Sequence, residues 1–168
     1  QQQYGLINGM YHGRVWRLHH EAMPKLGPVN MARLTDGQLA LEVGSRRAWR
    51  RETARRLLIE RGSVWVRSAI AEHLNASQNP EGAINALYTL DGLGCLSGAD
   101  VDRALAHSDW TVRRHALLVG DAYPDGSEVK SVVGTWLRDP SHYGVEARML
   151  LQIALSLGEF SNSVALDR

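Results

Sequence analysis

Cysteine is nearly absent from this chain: Cys95 is its one representative in 168 residues. A single cysteine cannot close a disulfide within the chain, and it cannot supply a Cys-x-x-Cys-His haem attachment. It lies in the apolar run Leu93-Gly94-Cys95-Leu96, which predicts a buried free thiol rather than a reactive one. No stretch of about 18 uncharged apolar residues occurs, so no segment reads as a membrane-spanning helix. A large excess of one charge is missing too. The formal net charge is +1, so only local clusters bear on a polyanionic partner. Nucleophile-elbow and zinc-protease motifs are missing as well. The chain opens on Gln1-Gln2-Gln3-Tyr4 without a signal-peptide pattern, and Ser161 to Arg168 reads as another helix beginning. Both ends lead us to expect a piece of a longer protein, truncated at its C-terminal side.

What is present is helical periodicity. Residues 1–30 stand apart, with Gly5, Gly9 and Gly13 between short apolar groups and Pro24, Gly27 and Pro28 closing the stretch. Within them Gly13 to His19 predicts a short strand. From Leu34 the pattern becomes helical and continues to the end of the chain. The expected division is therefore an extended segment and linker over 1–30 and a helical domain over 31–168. Thr35-Asp36-Gly37-Gln38 has capping-box spacing, which predicts a helix from about Asp36 to Val43. Trp49 to Gly62 predicts a strongly amphipathic helix, with Trp49, Thr53, Ala54, Leu57 and Leu58 read as one face and Gly62 as its left-handed terminator. Glu52 and Arg56 are spaced for an i, i+4 pair.

The pattern then returns. Val64 to Asn75 predicts a helix with Val66, Ile70 and Leu74 inward. Asn79-Pro80-Glu81 starts the next, combining an N-cap, proline in the first turn and an acid near the positive helix end. Ala99 to Ala106 is followed by a helix capped by Asp109, with Val112, Ala116, Leu117 and Val119 inward. Pro124-Asp125-Gly126 marks a turn, and Ser127 to Leu137 with Val145 to Leu157 makes a fourth hairpin around Asp139-Pro140. Ala54, Ala86, Ala116 and Ala147 occupy equivalent places in the second helices, at steps of 32, 30 and 31 residues. A helical hairpin recurring at about 30 residues is the mark of a solenoid, in which each unit buries its face against its neighbours. The expected class is all-α: an α-solenoid of about four helical hairpins after a short extended segment.

These units resemble HEAT repeats, whose second helix often opens Asp-x-x-Val-Arg. Asp109-Trp110-Thr111-Val112-Arg113 is the nearest match and Trp49-Arg50-Arg51-Glu52-Thr53-Ala54 a looser one. A wider resemblance rests on the order of three segments. Gly13-Arg14-Val15-Trp16-Arg17-Leu18 comes first, then Ala48 to Gly62, then Ala86-Leu87-Tyr88-Thr89-Leu90-Asp91-Gly92-Leu93-Gly94. That order resembles the membrane-bound dehydrogenase-type proteins of planctomycetes and verrucomicrobia. In that family a propeller resembling sugar dehydrogenases precedes HEAT-like repeats and often a c-type haem domain. The resemblance implies that Gly13 to His19 is the last propeller strand, that the parent protein is an oxidoreductase, and that its place is extracytoplasmic. The family's catalytic, cofactor and haem-binding residues have no counterpart in this chain, so no cofactor is expected here.

No catalytic, cofactor-binding or metal-ligating set is assigned. The most unusual local feature is the arginine cluster Arg46, Arg47, Arg50, Arg51, Arg55, Arg56 and Arg61. Arg47, Arg51 and Arg55 recur at i, i+4 and would form a basic ridge able to hold phosphates or an acidic partner. The competing reading is a solvated helix face, partly neutralised by Glu42, Glu52 and Glu60. His19-His20-Glu21 lacks metal-ligand spacing, since adjacent strand residues point to opposite faces, though His12 could join one of them. His73, His107, His115 and His142 read as caps or surface residues near helix ends. Trp49 and Trp110 read as packing between consecutive hairpins. The expected function is a non-catalytic scaffold or protein-interaction module within a larger extracytoplasmic dehydrogenase-like protein. The alternatives are a nucleic-acid-binding solenoid using Arg46, Arg47, Arg50, Arg51 and Arg55, or a segment contributing to the propeller enzyme's site.

Overall fold

A computed structural model describes residues 20–22, 29–75, 78–120 and 147–159. The expected strand from Gly13 to His19 and the segment from Ser127 to Leu137 lie outside these residues. So do the turns at Pro124-Asp125-Gly126 and Asp139-Pro140. Among the described residues the regular structure is helical, which bears out the all-α class.

Local chemistry sets where each helix starts. After a single 3-10 turn at Met31–Arg33, α1 spans Asp36–Glu42 behind a complete capping box. The Thr35 hydroxyl accepts from the Gln38 amide at 3.3 Å, and Gln38 Oε1 accepts from the Thr35 amide at 2.9 Å. Two orphan donors are thereby satisfied reciprocally. α2 spans Ala48–Arg61 and ends at Gly62, whose φ of 63° lies in the left-handed region that glycine enters without steric cost. α4 (Pro80–Gly92) begins as expected, with Asn79 Oδ1 accepting from the Gly82 amide at 3.2 Å. α5 (Gly98–Leu105) has a capping box between Ser97 and Asp100 that the sequence reading missed. Asp109 caps α6 (Trp110–Gly120), its Oδ1 accepting from the Thr111 amide at 2.7 Å. The last described helix, α7, spans Ala147–Glu159.

Three expectations need correction. Val64 to Asn75 is not one α-helix: a 3-10 turn at Val64–Val66 leads into α3 (Arg67–Ala71), and Glu72–Asn75 tightens into 3-10 again. The β-branched and aromatic start, Val64-Trp65-Val66, is weak helix former, yet Val66, Ile70 and Leu74 are buried as expected. Trp49 is not on the inner face of α2 but 61% exposed. At 100° per residue it sits roughly 140° from Ala54 and 180° from Leu58, so an offset of nine residues reverses the face. Ala147 is exposed, whereas Ala54, Ala86 and Ala116 are fully buried. In α7 the buried set is instead Met149, Gln152, Ile153 and Ser156.

The helices pack in two layers. α1 packs on α2, α3 with its 3-10 extension on α4, and α5 on α6, so each first helix lies on its second. The second helices also pack on one another in order, α2 on α4, α4 on α6 and α6 on α7, while α1 touches α3 and the Glu72–Asn75 turn touches α5. Leu39, Leu58, Ile70, Leu87, Leu90, Leu117 and Met149 are fully buried and belong to one core cluster. One buried amide ties three helices together: Asn85 on α4 donates to the carbonyls of Val43 and Arg51, each at 3.1 Å.

Candidate functional site

The candidate arginines sit on and just before α2. Arg46 and Arg47 are exposed in the loop that enters the helix, and Arg47 is its N-cap without a side-chain cap bond. Arg50 pairs with Glu42 of α1 at 3.0 Å, and Arg51 Nη1 donates to the Ser45 carbonyl at 3.0 Å. Arg55 pairs with Glu52 at 2.7 Å and Arg56 with Glu60 at 3.1 Å. The expected Glu52–Arg56 pair is therefore absent, because i+3 and i+4 neighbours are about equally near and Arg56 has Glu60 one turn on. Arg61 donates to Asp36 Oδ1 at 2.7 Å and to the carbonyls of Leu34 and Ala32, both at 2.9 Å. The Arg61 and Ser63 hydrogen bonds hold the Asp36 carboxyl below the usual carboxylate range. Of the five candidates, Arg50, Arg51 and Arg55 are engaged within the fold and Arg46 and Arg47 face solvent.

A different cluster forms where α4 meets α6. The Tyr88 hydroxyl lies 2.9 Å from His115 Nδ1, and the two rings cross edge to face with centroids 5.6 Å apart and an angle of 79°. Both are half-buried. Burial raises the Tyr88 phenol above its ordinary value, with Arg114 and Arg55 pulling it down and Asp91 pushing it up. Burial lowers His115, and the charge of Arg114 lowers it further. At neutral pH the pair is thus a protonated phenol and a neutral imidazole. The phenol is the stronger donor, so it gives its proton to Nδ1 and leaves the ring N–H at Nε2. His115 is accordingly neither cap nor free surface residue, but a mid-helix partner.

Charge is distributed unevenly among the helices. α2 carries five arginines against Glu52 and Glu60, and α6 carries Arg113 and Arg114 with no acid, whereas α4 between them carries Glu81 and Asp91, and α1 carries Asp36 and Glu42, each with no cation. Arg113 Nη1 turns back onto the carbonyls of His107 and Ser108, at 2.8 and 2.9 Å. Arg114 has no carboxylate within ion-pair distance among the described residues.

On the first-helix side, a cleft of about 390 Å³ is lined by Arg67, Glu72, Ser97, Asp100 and Arg103 among others. Its charges answer one another: Asp100 accepts from Arg67, from the Ser97 amide at 3.0 Å and from the Ser97 hydroxyl at 2.6 Å. That group joins α3 to α5.

The remaining residues have structural partners. His73 Nε2 is 2.9 Å from the Ala40 carbonyl, and His107 Nδ1 accepts from the Asp109 amide at 2.9 Å. His20 Nδ1 accepts from the Ala22 amide at 3.2 Å, while His12, His19 and His142 lie outside the described residues. Among the described residues no group of three metal-ligating side chains forms. Trp110 packs against the core. Cys95 is half-buried rather than buried, and burial pushes its thiol up, away from thiolate chemistry. No described helix is long and apolar enough to cross a membrane.

The sequence reading missed the Tyr88–His115 pair. Its one signal was spacing: the residues are 27 apart, near the expected step of about 30 residues, with Tyr88 on α4 and His115 on α6. Comparison with family models, characterised proteins and solved structures finds no match to this chain.

Proposed function

We propose that the chain is a HEAT-like α-solenoid that works as a non-catalytic protein-interaction module, its partner lying along the second-helix layer. The observation that carries this reading is the serial packing of α2, α4, α6 and α7. Such packing turns separate helices into one continuous face, as stacked repeats do. On α4 and α6 lie half-buried Tyr88, Arg114 and His115 and the 38% exposed Leu118, a mixture of aromatic, cationic and apolar groups suited to a protein partner. The engagement of Arg50, Arg51 and Arg55 within the fold favours this reading over nucleic-acid binding, which needs cations free to replace counterions.

The module's setting follows from the resemblance already described: a repeat region within a larger, extracytoplasmic dehydrogenase-like protein. Fractionation of producing cells tests that setting, and recovery of the protein solely with the cytoplasm would remove it.

The interaction reading is tested by photo-cross-linking in producing cells, with a photoreactive residue replacing Leu118 on α6 or Arg103 on α5. Protein adducts confined to position 118 are expected. Adducts to nucleic acid, or equal protein adducts from both positions, would overturn the reading.

A further inference from the structure

We propose that the Tyr88–His115 pair, flanked by Arg114 and Arg55, is the docking point for a carboxylate side chain in an acidic segment of the partner protein. This rests on the interaction reading above and narrows it to one ligand chemistry. Arg114 offers a planar fork of donors matched to a carboxylate, and none of the described acids occupies it. His115 offers a second donor at Nε2 in the tautomer in which the Tyr88 hydroxyl, 2.9 Å away, donates to Nδ1. The bond to Tyr88 and the edge-to-face contact, with centroids 5.6 Å apart, fix that ring before any ligand arrives, so little ordering entropy is lost on binding.

The charge balance selects the ligand. Asp91 acts on Tyr88 with a sign opposite to Arg114 and Arg55, and Glu52 stays 2.7 Å from Arg55. A nucleic acid, carrying one charge per roughly 1.7 Å of duplex, would set phosphates against both acids. A peptide carboxylate is an isolated charge, and Arg114 and His115 are consecutive residues of α6. Leu118, one turn beyond Arg114 and 38% exposed, gives the neighbouring residue of that segment an apolar contact. The segment so described alternates acidic and apolar side chains.

Fluorescence anisotropy with the purified chain at low ionic strength tests this. The probes are a labelled peptide of alternating Glu and Leu, the matched Gln and Leu peptide, and a single-stranded DNA oligonucleotide. Wild-type protein should bind the Glu peptide at least about tenfold more tightly than the Gln peptide, the scale of one charge-assisted hydrogen bond. Arg114→Gln should erase that preference, and Arg46→Gln combined with Arg47→Gln should leave it intact. If Arg114→Gln fails to fold, Arg114→Lys keeps the charge without the fork and should weaken Glu-peptide binding by at least about threefold. Equal binding of the two peptides, indifference to both Arg114 variants, loss of the preference in the Arg46/Arg47 variant, or tighter DNA binding that depends on Arg114 would each overturn the proposal. Failed Glu selectivity with adducts still confined to position 118 removes the carboxylate dock and leaves the interaction module standing. Intact, Arg114-dependent selectivity without adducts at 118 supports the dock and removes the partner layout assigned to the module.

Discussion

Arg67 and Asp100, 33 residues apart in the chain, meet as an ion pair that joins α3 to α5. Asp100 is 2% exposed and also caps α5 through the Ser97 amide and hydroxyl. Arg67 Nε donates to the Cys95 carbonyl at 3.0 Å from the other side. The carboxylate therefore serves as helix cap and inter-helix joint at once. Removing it leaves a guanidinium and two cap donors short of their acceptor. Asp100→Ala should cost about 2–4 kcal/mol, and Asp100→Asn, which keeps a cap acceptor, should cost less. Urea unfolding reads both, and a loss below about 1 kcal/mol for Asp100→Ala would contradict the joint.

The two layers make a graded core prediction. Leu58 and Leu87 are fully buried on α2 and α4, and Trp49 stands 61% exposed on the opposite side of α2. Leu58→Ala and Leu87→Ala should each cost about 2–5 kcal/mol. Trp49→Ala should stay within about 0.5 kcal/mol. Equal effects at Leu58 and Trp49 would mean that α2 is rotated from the position described.

Gly44 marks a close approach rather than an unusual backbone. A Cβ there would lie 2.4 Å from Nδ1 of the His73 ring, whose Nε2 is held 2.9 Å from the Ala40 carbonyl. Gly44→Ala should displace that ring and cost about 1–3 kcal/mol, as overpacking does. Alanine at Gly37, where a Cβ meets nothing within 4 Å, should cost far less on the same urea assay.

His115 gives stability a pH dependence of known sign. Burial, then Arg114, depress its pKa in the folded state, so the unfolded chain binds the proton more readily. Its contribution is complete above the unfolded value near 6.5 and is lost as pH falls through the lowered folded value. Urea midpoints should therefore fall on acidification from pH 7 more steeply for wild type than for His115→Gln. Parallel slopes would show that His115 titrates alike in both states. Asp36 acts in the same direction at lower pH, being depressed by Arg61 and Ser63, and its share is lost as pH drops below about 3.9.

What was legible in the sequence was local. The Thr35 capping box, the Asn79-Pro80 start and the Gly62 stop depend on residues a few positions apart, and each stands in the structure; of the alanines spaced about 30 residues apart, Ala54, Ala86 and Ala116 are buried and Ala147 is exposed. Apart from the local break at Val64-Trp65-Val66, the differences came from longer reach. Nine residues of helix carry Trp49 to the far side from Leu58. The arginines of α2 read as a free ridge because Glu42 and Ser45, which engage Arg50 and Arg51, lie across a loop. Tyr88 and His115 belong to different helices, and only the packing of α4 on α6 brings them together.

The central claim is that the second-helix layer is the binding face. An amide chemical-shift map of the isotope-labelled chain tests it most directly, titrated with the protein recovered through the cross-link at position 118. The largest shifts should fall around Arg55, Tyr88, Arg114 and His115 on α2, α4 and α6. Shifts concentrated on α1 and α5, with those four positions unmoved, would contradict the account.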